Sequence, residues 1–99
     1  MTEGNSRQEI ETIKVRVQGR VQGVFFRSSL KSLADSLGVR GWVKNLPDGA
    51  VEALIQGRRE EVCKVLDWCK IGPKLAEVSE VNSCRIEPEM TFRNFAIIA

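Results

Sequence analysis

The stretch Gly19-Arg20-Val21-Gln22-Gly23-Val24-Phe25-Phe26-Arg27 contains the residue types from which an anion site is built. Two glycines four apart let the backbone curl so that several N–H groups point into one concavity. A helix starting at Phe26 adds N–H groups that have no intrahelical partner, together with the positive end of its dipole. Arg27, in the first helical turn, offers a planar fork that can meet an oxyanion through two hydrogen bonds. Together these make a phosphate cradle. Taken alone, two glycines at this spacing are more often an ordinary strand-to-helix turn. The surrounding residues have to decide between the two.

Residue types exclude the rival loops. No Lys follows Gly23, so GxxxxGK with a following Ser or Thr is absent, and so is GxGxxG. Val21, six positions before Arg27, cannot be a nucleophile, which removes a cysteine-based phosphatase loop. The chain has no histidine. That excludes Ser-His-Asp and Cys-His mechanisms, phosphohistidine intermediates and His-ligated zinc or iron. Cys63, Cys69 and Cys84 show neither C-x-x-C spacing nor an even count. They predict no disulfide framework and no zinc site, and read as small apolar residues in a reducing compartment. No metal or other cofactor is expected.

Charge agrees with an anionic ligand. The net value is 15 − 13 = +2, but residues 14 to 44 hold seven bases (Lys14, Arg16, Arg20, Arg27, Lys31, Arg40, Lys44) against Asp35 alone. That segment carries +6 and the remainder −4. Such asymmetry favours an anion, although basic strand residues also simply face solvent.

The elements that must position the loop follow from periodicity. Ile13, Val15 and Val17 alternate with Lys14, Arg16 and Gln18 as in a half-buried strand, ending at Gly19. Phe26, Leu30, Leu33, Ala34 and Leu37 recur at helical spacing, and Gly38 stops that helix. Arg40 to Leu46, the turn Pro47-Asp48-Gly49 and the strand beginning at Val51 form a hairpin. A second helix is predicted from Arg59 to Ile71, with Glu60 and Glu61 at its start and Gly72-Pro73 at its end. Two weaker strands follow, near Ala76 to Arg85 and Phe92 to Ile98. The order β-α-β-β-α-β predicts a ferredoxin-like α+β sandwich, an antiparallel sheet with two helices on one face.

At 99 residues, 42% hydrophobic and 28% charged, the chain is expected to be one soluble domain. No apolar stretch approaches the roughly 20 residues that span a bilayer. The start, MTEGNSRQEIE, has no apolar core of a signal peptide. Residues 1–11 are expected to be a flexible leader, residues 12–99 the domain, and the cytoplasm its location.

GRVQGVFFR at 19–27, followed by LGVRGWVKNLPDGAVEALIQG at 37–57, closely resembles the acylphosphatases. GPKLAEV at 72–78 and TFRNFAI at 91–97 look similar too, so the resemblance covers about residues 12 to 98. That family has the ferredoxin-like fold. The resemblance implies hydrolysis of small acyl phosphates to carboxylate and inorganic phosphate. It implies Arg27 as the phosphate-binding arginine and Asn45, in GWVKN, as the residue that holds the attacking water. It also implies that the backbone amides of Val21, Gln22, Gly23, Val24, Phe25 and Phe26 form the phosphate loop. A monomer is expected, with inorganic phosphate as product and competitor, and with neither nucleic acid nor membrane as partner. Many members end in an aromatic or basic residue, whereas this chain ends in Ala99.

The chemistry suits so sparse a set of residues. An acyl phosphate is a mixed anhydride whose leaving carboxylate has a conjugate acid of pKa roughly 4 to 5, by analogy with Asp and Glu. It departs without a proton. What remains is to bind the phosphoryl oxygens, aim a water in line and neutralise charge on the equatorial oxygens. An Asn orients water because its carbonyl accepts and its amide donates; alone, Asn45 also reads as a strand-end residue preparing the turn. Trp42 and Trp68 read as packing residues. Asp48 and Glu52 read as turn and strand-face residues. Two other classes compete. RNA-binding modules of this fold stack bases on aromatics of two central strands, which IKVRVQ and VEALIQ lack. A carbamoyl-phosphate-binding domain of the kind fused to hydrogenase-maturation proteins would keep the loop without turnover.

Overall fold

A computed structural model of the chain describes residues 9–88 and 90–99. The first eight residues of the expected leader lie outside the described residues.

The chain folds as β1 (Ile10–Arg20), α1 (Phe26–Leu37), β2 (Arg40–Asn45), β3 (Val51–Arg58), α2 (Arg59–Cys69), β4 (Glu77–Arg85) and β5 (Phe95–Ile97). Strand order is β4-β1-β3-β2-β5. The four longer strands pair antiparallel. The expected wholly antiparallel sheet is corrected at one edge, because β5 runs parallel to β2. A parallel neighbour needs a long crossover rather than a hairpin. Here residues 86–94 carry the chain from the β4 edge to the β5 edge.

Both helices cover one face of this sheet, α1 over β2 and β5, α2 over β1 and β3. The alternation in β1 puts Ile13, Val15 and Val17 beneath them, where they meet Ala53 and Ile55 of β3 and Val43 of β2. The apolar stripes Phe26, Leu30, Ala34 and Val62, Val65, Cys69 close the core from above. Phe26 is 1% exposed, and its ring lies 5.1 Å from that of Trp68 at a tilt of 53°. A tilted pair of this kind adds about 0.5–1.5 kcal/mol to the burial itself.

Several boundaries differ from the expectation, among them the start of β1, the end of α2 and the start of β5. β1 begins at Ile10 because Glu11, only 8% exposed, is held by two cations: Arg59 Nε at 2.8 Å and the Arg85 guanidinium at 3.0 Å. α2 ends at Cys69, where the Ile71 and Gly72 amides turn back to the Trp68 carbonyl. β5 begins at Phe95 because the Phe92 amide donates to Gln56 Oε1 instead of to a strand. Buried Gln56 also donates to Thr12 Oγ1 and to the Met90 carbonyl, both at 3.0 Å. One side chain thus pins the crossover to the sheet.

The opposite face of the sheet is free of helices, with the crossover residues Ile86, Pro88 and Phe92 lying beside Trp42 and Leu54. There Lys14 and Lys44 both approach Glu52 at 3.8 Å, Arg16 pairs with Asp48, and Lys44 lies 5.3 Å from the centroid of the half-buried Trp42 ring. Trp68 packs against the core as expected, whereas Trp42 belongs to this helix-free face. All three cysteines are free; Cys69 is buried as a small apolar residue would be, whereas Cys63 and Cys84 are exposed. Among the described residues no helix is long and apolar enough to cross a membrane.

Candidate active site

The end of the sheet remote from the crossover gathers the C-terminal ends of β1 and β2. Asn45, last in β2, is paired with Val51 of β3, and Val51 is paired in turn with Val17 of β1. Two residues beyond Val17 the ladder to β4 shifts register at Gln18/Gly19. Gly19 has φ 124°, and a Cβ there would run into the Glu77 carbonyl. Its glycine therefore serves a bulge against β4, and β1 continues to Arg20. It does not shape the anion loop, as the sequence suggested.

The loop is shaped two residues at a time further on. Gly23 has φ 76° and Phe25 φ 68°, both left-handed, with Val24 between them. Left-handed residues alternating in this way turn consecutive N–H groups to one side, forming an anion-binding nest. Glycine adopts that conformation freely, but for a residue with a Cβ it costs about 1–2 kcal/mol. Phe25 is the one non-glycine residue with positive φ among the described residues, and it lies in the loop singled out for chemistry.

The nest runs directly into α1, whose N-cap, Phe25, makes no side-chain cap. The first backbone bond of the helix is from the Ser29 N–H to the Phe25 carbonyl, at 3.1 Å. Ahead of it, no N–H from Gln22 through Ser28 meets a carbonyl or side-chain acceptor among the described residues. A run of such donors at a helix start is suited to an anion.

Around this run lies a cavity of about 320 Å³ lined by Val21, Gly23, Phe25, Phe26, Arg27, Ser28 and Ile97. Arg27 is the one charged side chain in that lining. Lys14, Arg16, Lys31 and Lys44 each face a carboxylate, but no ion pair among the described residues involves Arg27. Arg27 is thus a charged residue of the cavity that is free of ion pairs among the described residues. Ile97 closes the far side. β5 is held there by its pairing with β2, by the Ile98 N–H donating to the Val43 carbonyl at 2.9 Å, and by Lys31 Nζ donating to the Phe95 carbonyl at 3.0 Å.

The structure brings together Val21, Gly23, Phe25, Phe26 and Arg27. Three other expected residues stand apart from that lining. Val24 turns its side chain into the core. The side chain of Gln22 turns away and donates to the carbonyls of Leu46 and Ala50, both at 2.9 Å. It thus ties the loop to the β2–β3 turn that follows Asn45. Asn45 has its Oδ1 buried without a hydrogen-bond partner. A buried amide oxygen left so costs about 1–3 kcal/mol unless something mobile satisfies it. Sequence reasoning missed Ile97, Ser28 and the tie made by Gln22. The side-chain tie and the place of Ile97 depend on tertiary contacts that leave no local pattern.

Asp48 and Glu52 take the roles expected of them. Asp48 Oδ1 accepts from the Ala50 N–H at 3.0 Å and its carboxylate pairs with Arg16. The Ala50 amide, aided by Arg16, holds this carboxyl below the usual carboxylate range. Burial pushes the Cys69 thiol up to about 12. Among the described residues, no group of three or more His, Cys, Asp or Glu could hold a metal ion.

Comparison with known proteins agrees with this fold. The family model for acylphosphatase matches residues 13–97. The acylphosphatase of Thiobacillus denitrificans is 48% identical over 80 residues, covering 81% of this chain and 90% of its own. The structure of an acylphosphatase from Coxiella burnetii superposes with a TM-score of 0.87 at 39% identity, over 99% of this chain and all of that one. The acylphosphatase from Bacillus subtilis superposes at 0.86 with 30% identity, over 92% of this chain and all of its own. The ferredoxin-like sandwich, the family model that matches most of its length and the identity to these relatives place the chain in the acylphosphatase family, as a hydrolase of acyl phosphates.

Proposed function

We propose that the phosphoryl group of the substrate sits in the nest between Gln22 and Ser28, held by those backbone amides and by the Arg27 guanidinium, while Asn45 holds the attacking water. The observation that carries this reading is the unbroken run of unpaired N–H groups beside the one uncommitted guanidinium of the cavity. The unpartnered Oδ1 of Asn45 supports its part, since a water donating to that atom would satisfy it.

In this mechanism the water oxygen forms the new bond to phosphorus. The bond from phosphorus to the acyl oxygen breaks, and the carboxylate leaves with the electron pair. The proton of the water passes to a phosphate oxygen, since Asn is no base. Loop amides and Arg27 stabilise charge on the equatorial oxygens, fixed before the reaction begins. The anhydride supplies a good leaving group and the nest supplies positive charge, so neither an imidazole nor a metal nor an organic cofactor is needed.

The catalytic domain begins at Ile10 rather than at residue 12, since Ile10 and Glu11, expected in the flexible leader, belong to β1. Inorganic phosphate competes with substrate for the same amides. The enzyme acts as a monomer on a small molecule, without nucleic acid or membrane. Three unpaired cysteines suit a reducing cytoplasm. Hydrolysis of benzoyl phosphate in water enriched in oxygen-18 tests the core of the reading. The label is expected in phosphate. Label in benzoate would mean attack at the carbonyl carbon and would remove Asn45 and the nest from their roles.

A further inference from the structure

We propose that the mouth of the cavity is a subsite for an apolar acyl group, framed by Phe25 and Ile97, so that aryl and branched acyl phosphates are preferred to those whose acyl part carries a second negative charge. The proposal rests on the phosphoryl group occupying the nest.

Phe25 is 70% exposed and Ile97 is 41% exposed, yet both line the cavity that contains Arg27. They come from opposite ends of the chain, one from the strained turn before α1 and the other from the edge strand β5. The left-handed backbone at Phe25 serves the nest, but that conformation is met at least cost by glycine or asparagine. A large aromatic at this position adds strain and exposes its ring, and neither helps to bind phosphate. Both features fit a ring that is covered when substrate is bound. Ile97 is paired with Val43 through its backbone, which does not require its side chain to be exposed at the cavity.

Charge limits the class of acyl group. With the phosphoryl oxygens on Arg27 and the amides, no second cation in the lining remains for a carboxylate on the acyl side. No acid in the lining would select a cationic acyl group either. The volume, about 320 Å³, lies at the lower end of small-molecule sites, which run from roughly 300 to 1,000 Å³. It suits a phosphoryl group plus one ring or a short branched chain.

The test is kcat/KM on benzoyl, acetyl and succinyl phosphate for the parent, Phe25→Asn, Ile97→Ser and Ile97→Lys, with inorganic phosphate as inhibitor throughout. Intrinsic reactivities of the anhydrides cancel when each variant's ratio is divided by that of the parent. The benzoyl-to-acetyl ratio should fall about tenfold in Phe25→Asn and about threefold in Ile97→Ser, the scale of small changes to an apolar pocket. Ile97→Lys should raise the succinyl-to-acetyl ratio by about tenfold, because it supplies the missing cation. Inhibition by phosphate, which has no acyl group, should stay within about twofold in Ile97→Ser, whereas the added cation of Ile97→Lys should if anything tighten it. Unchanged ratios with phosphate inhibition intact would refute the subsite. Should Phe25→Asn lose all activity together, the ring supports the loop, and the two Ile97 variants decide. A parent enzyme that phosphate does not inhibit would overturn the phosphoryl placement itself, whatever the ratios show.

Discussion

The side-chain amide of Gln22 lies 2.9 Å from the carbonyl of Leu46, the residue that follows Asn45, and the same nitrogen donates to Ala50 at the other end of the turn. The nest and the strand end that presents Asn45 are therefore joined by one side chain. If water and phosphoryl group must be aligned, this tie sets their separation. Gln22→Leu should lower kcat by ten- to a hundredfold, since misplacement of about 1 Å is enough for such a loss. Each carbonyl keeps a backbone donor, the Gly49 N–H for Leu46 and the Leu46 N–H for Ala50, so the loss of stability should be only about 1 kcal/mol. Steady-state kinetics beside urea unfolding would check this. A variant that is destabilised but turns over normally would reduce Gln22 to a structural role.

Arg27→Gln should abolish most inhibition by inorganic phosphate together with turnover. It removes the single charged donor of the cavity, and charge-assisted bonds are about twice as strong as neutral ones. Phosphate binding by calorimetry gives the answer directly. Binding as tight as in the parent would show that the amides alone anchor the anion.

Local pattern and long-range contact divided the work of prediction. The first helix was legible to the residue, because the stripe Phe26, Leu30, Leu33, Ala34 and Leu37 is local and Gly38 closes it at φ 72°. Arg27 was legible for the same reason, being fixed by that helix. The two glycines of the loop look alike in sequence, yet Gly19 answers to the approach of β4 and only Gly23 to the nest. The left-handed backbone of Phe25 ran against its residue type and left no signal. Ile97 reaches the cavity through parallel pairing with β2 across a crossover pinned by Gln56, which no window of sequence reveals. Cys69 continues the stripe of Val62 and Val65 and is buried, whereas Cys63 and Cys84 stand off any such stripe.

The thiols should divide accordingly. Cys63 and Cys84 are exposed and should react with a thiol reagent at pH 8 in the native protein, while Cys69, pushed up to about 12 by burial, should react only on unfolding. No cysteine lines the cavity. Alkylation of the exposed pair should leave kcat within about twofold, far short of the tenfold that 1.36 kcal/mol of lost transition-state stabilisation would give. Mass spectrometry of alkylated, active enzyme would check both points, and native modification of Cys69 would contradict the packing of α2.

Acid should loosen the turn at Asp48. The Ala50 amide and Arg16 lower its folded pKa below the unfolded value of about 3.9. A depressed carboxyl contributes stability that is present above the unfolded pKa and lost as pH falls through the folded one. Asp48→Asn keeps an acceptor for Ala50 but loses the pair with Arg16. The difference in melting temperature between parent and variant should therefore be steady above about pH 5 and shrink below about pH 4. A difference that grows on acidification would reverse the assignment.

Asn45→Ala separates the water from the anion. Its Oδ1 is buried without a partner, and its side chain is not part of the lining of the cavity. If Asn45 aims the water while the nest and Arg27 hold the phosphoryl group, removing it should leave phosphate binding within about twofold. Turnover should nevertheless fall by two or more powers of ten, about 3 kcal/mol of transition-state stabilisation at about 1.4 kcal/mol per decade. The fold should survive, because the backbone pairing of Asn45 with Val51 does not depend on the side chain, and Oδ1 makes no hydrogen bond within the described protein that alanine would lose. The variant should therefore melt close to the parent, a signature that a residue serving packing would not give. Phosphate calorimetry, steady-state kinetics and thermal unfolding on the same preparation check the three statements together. Weakened phosphate binding with a proportionate change in KM and an unchanged kcat would move Asn45 into the anion site. Normal kinetics would leave the water to be held by the substrate's own phosphate oxygens.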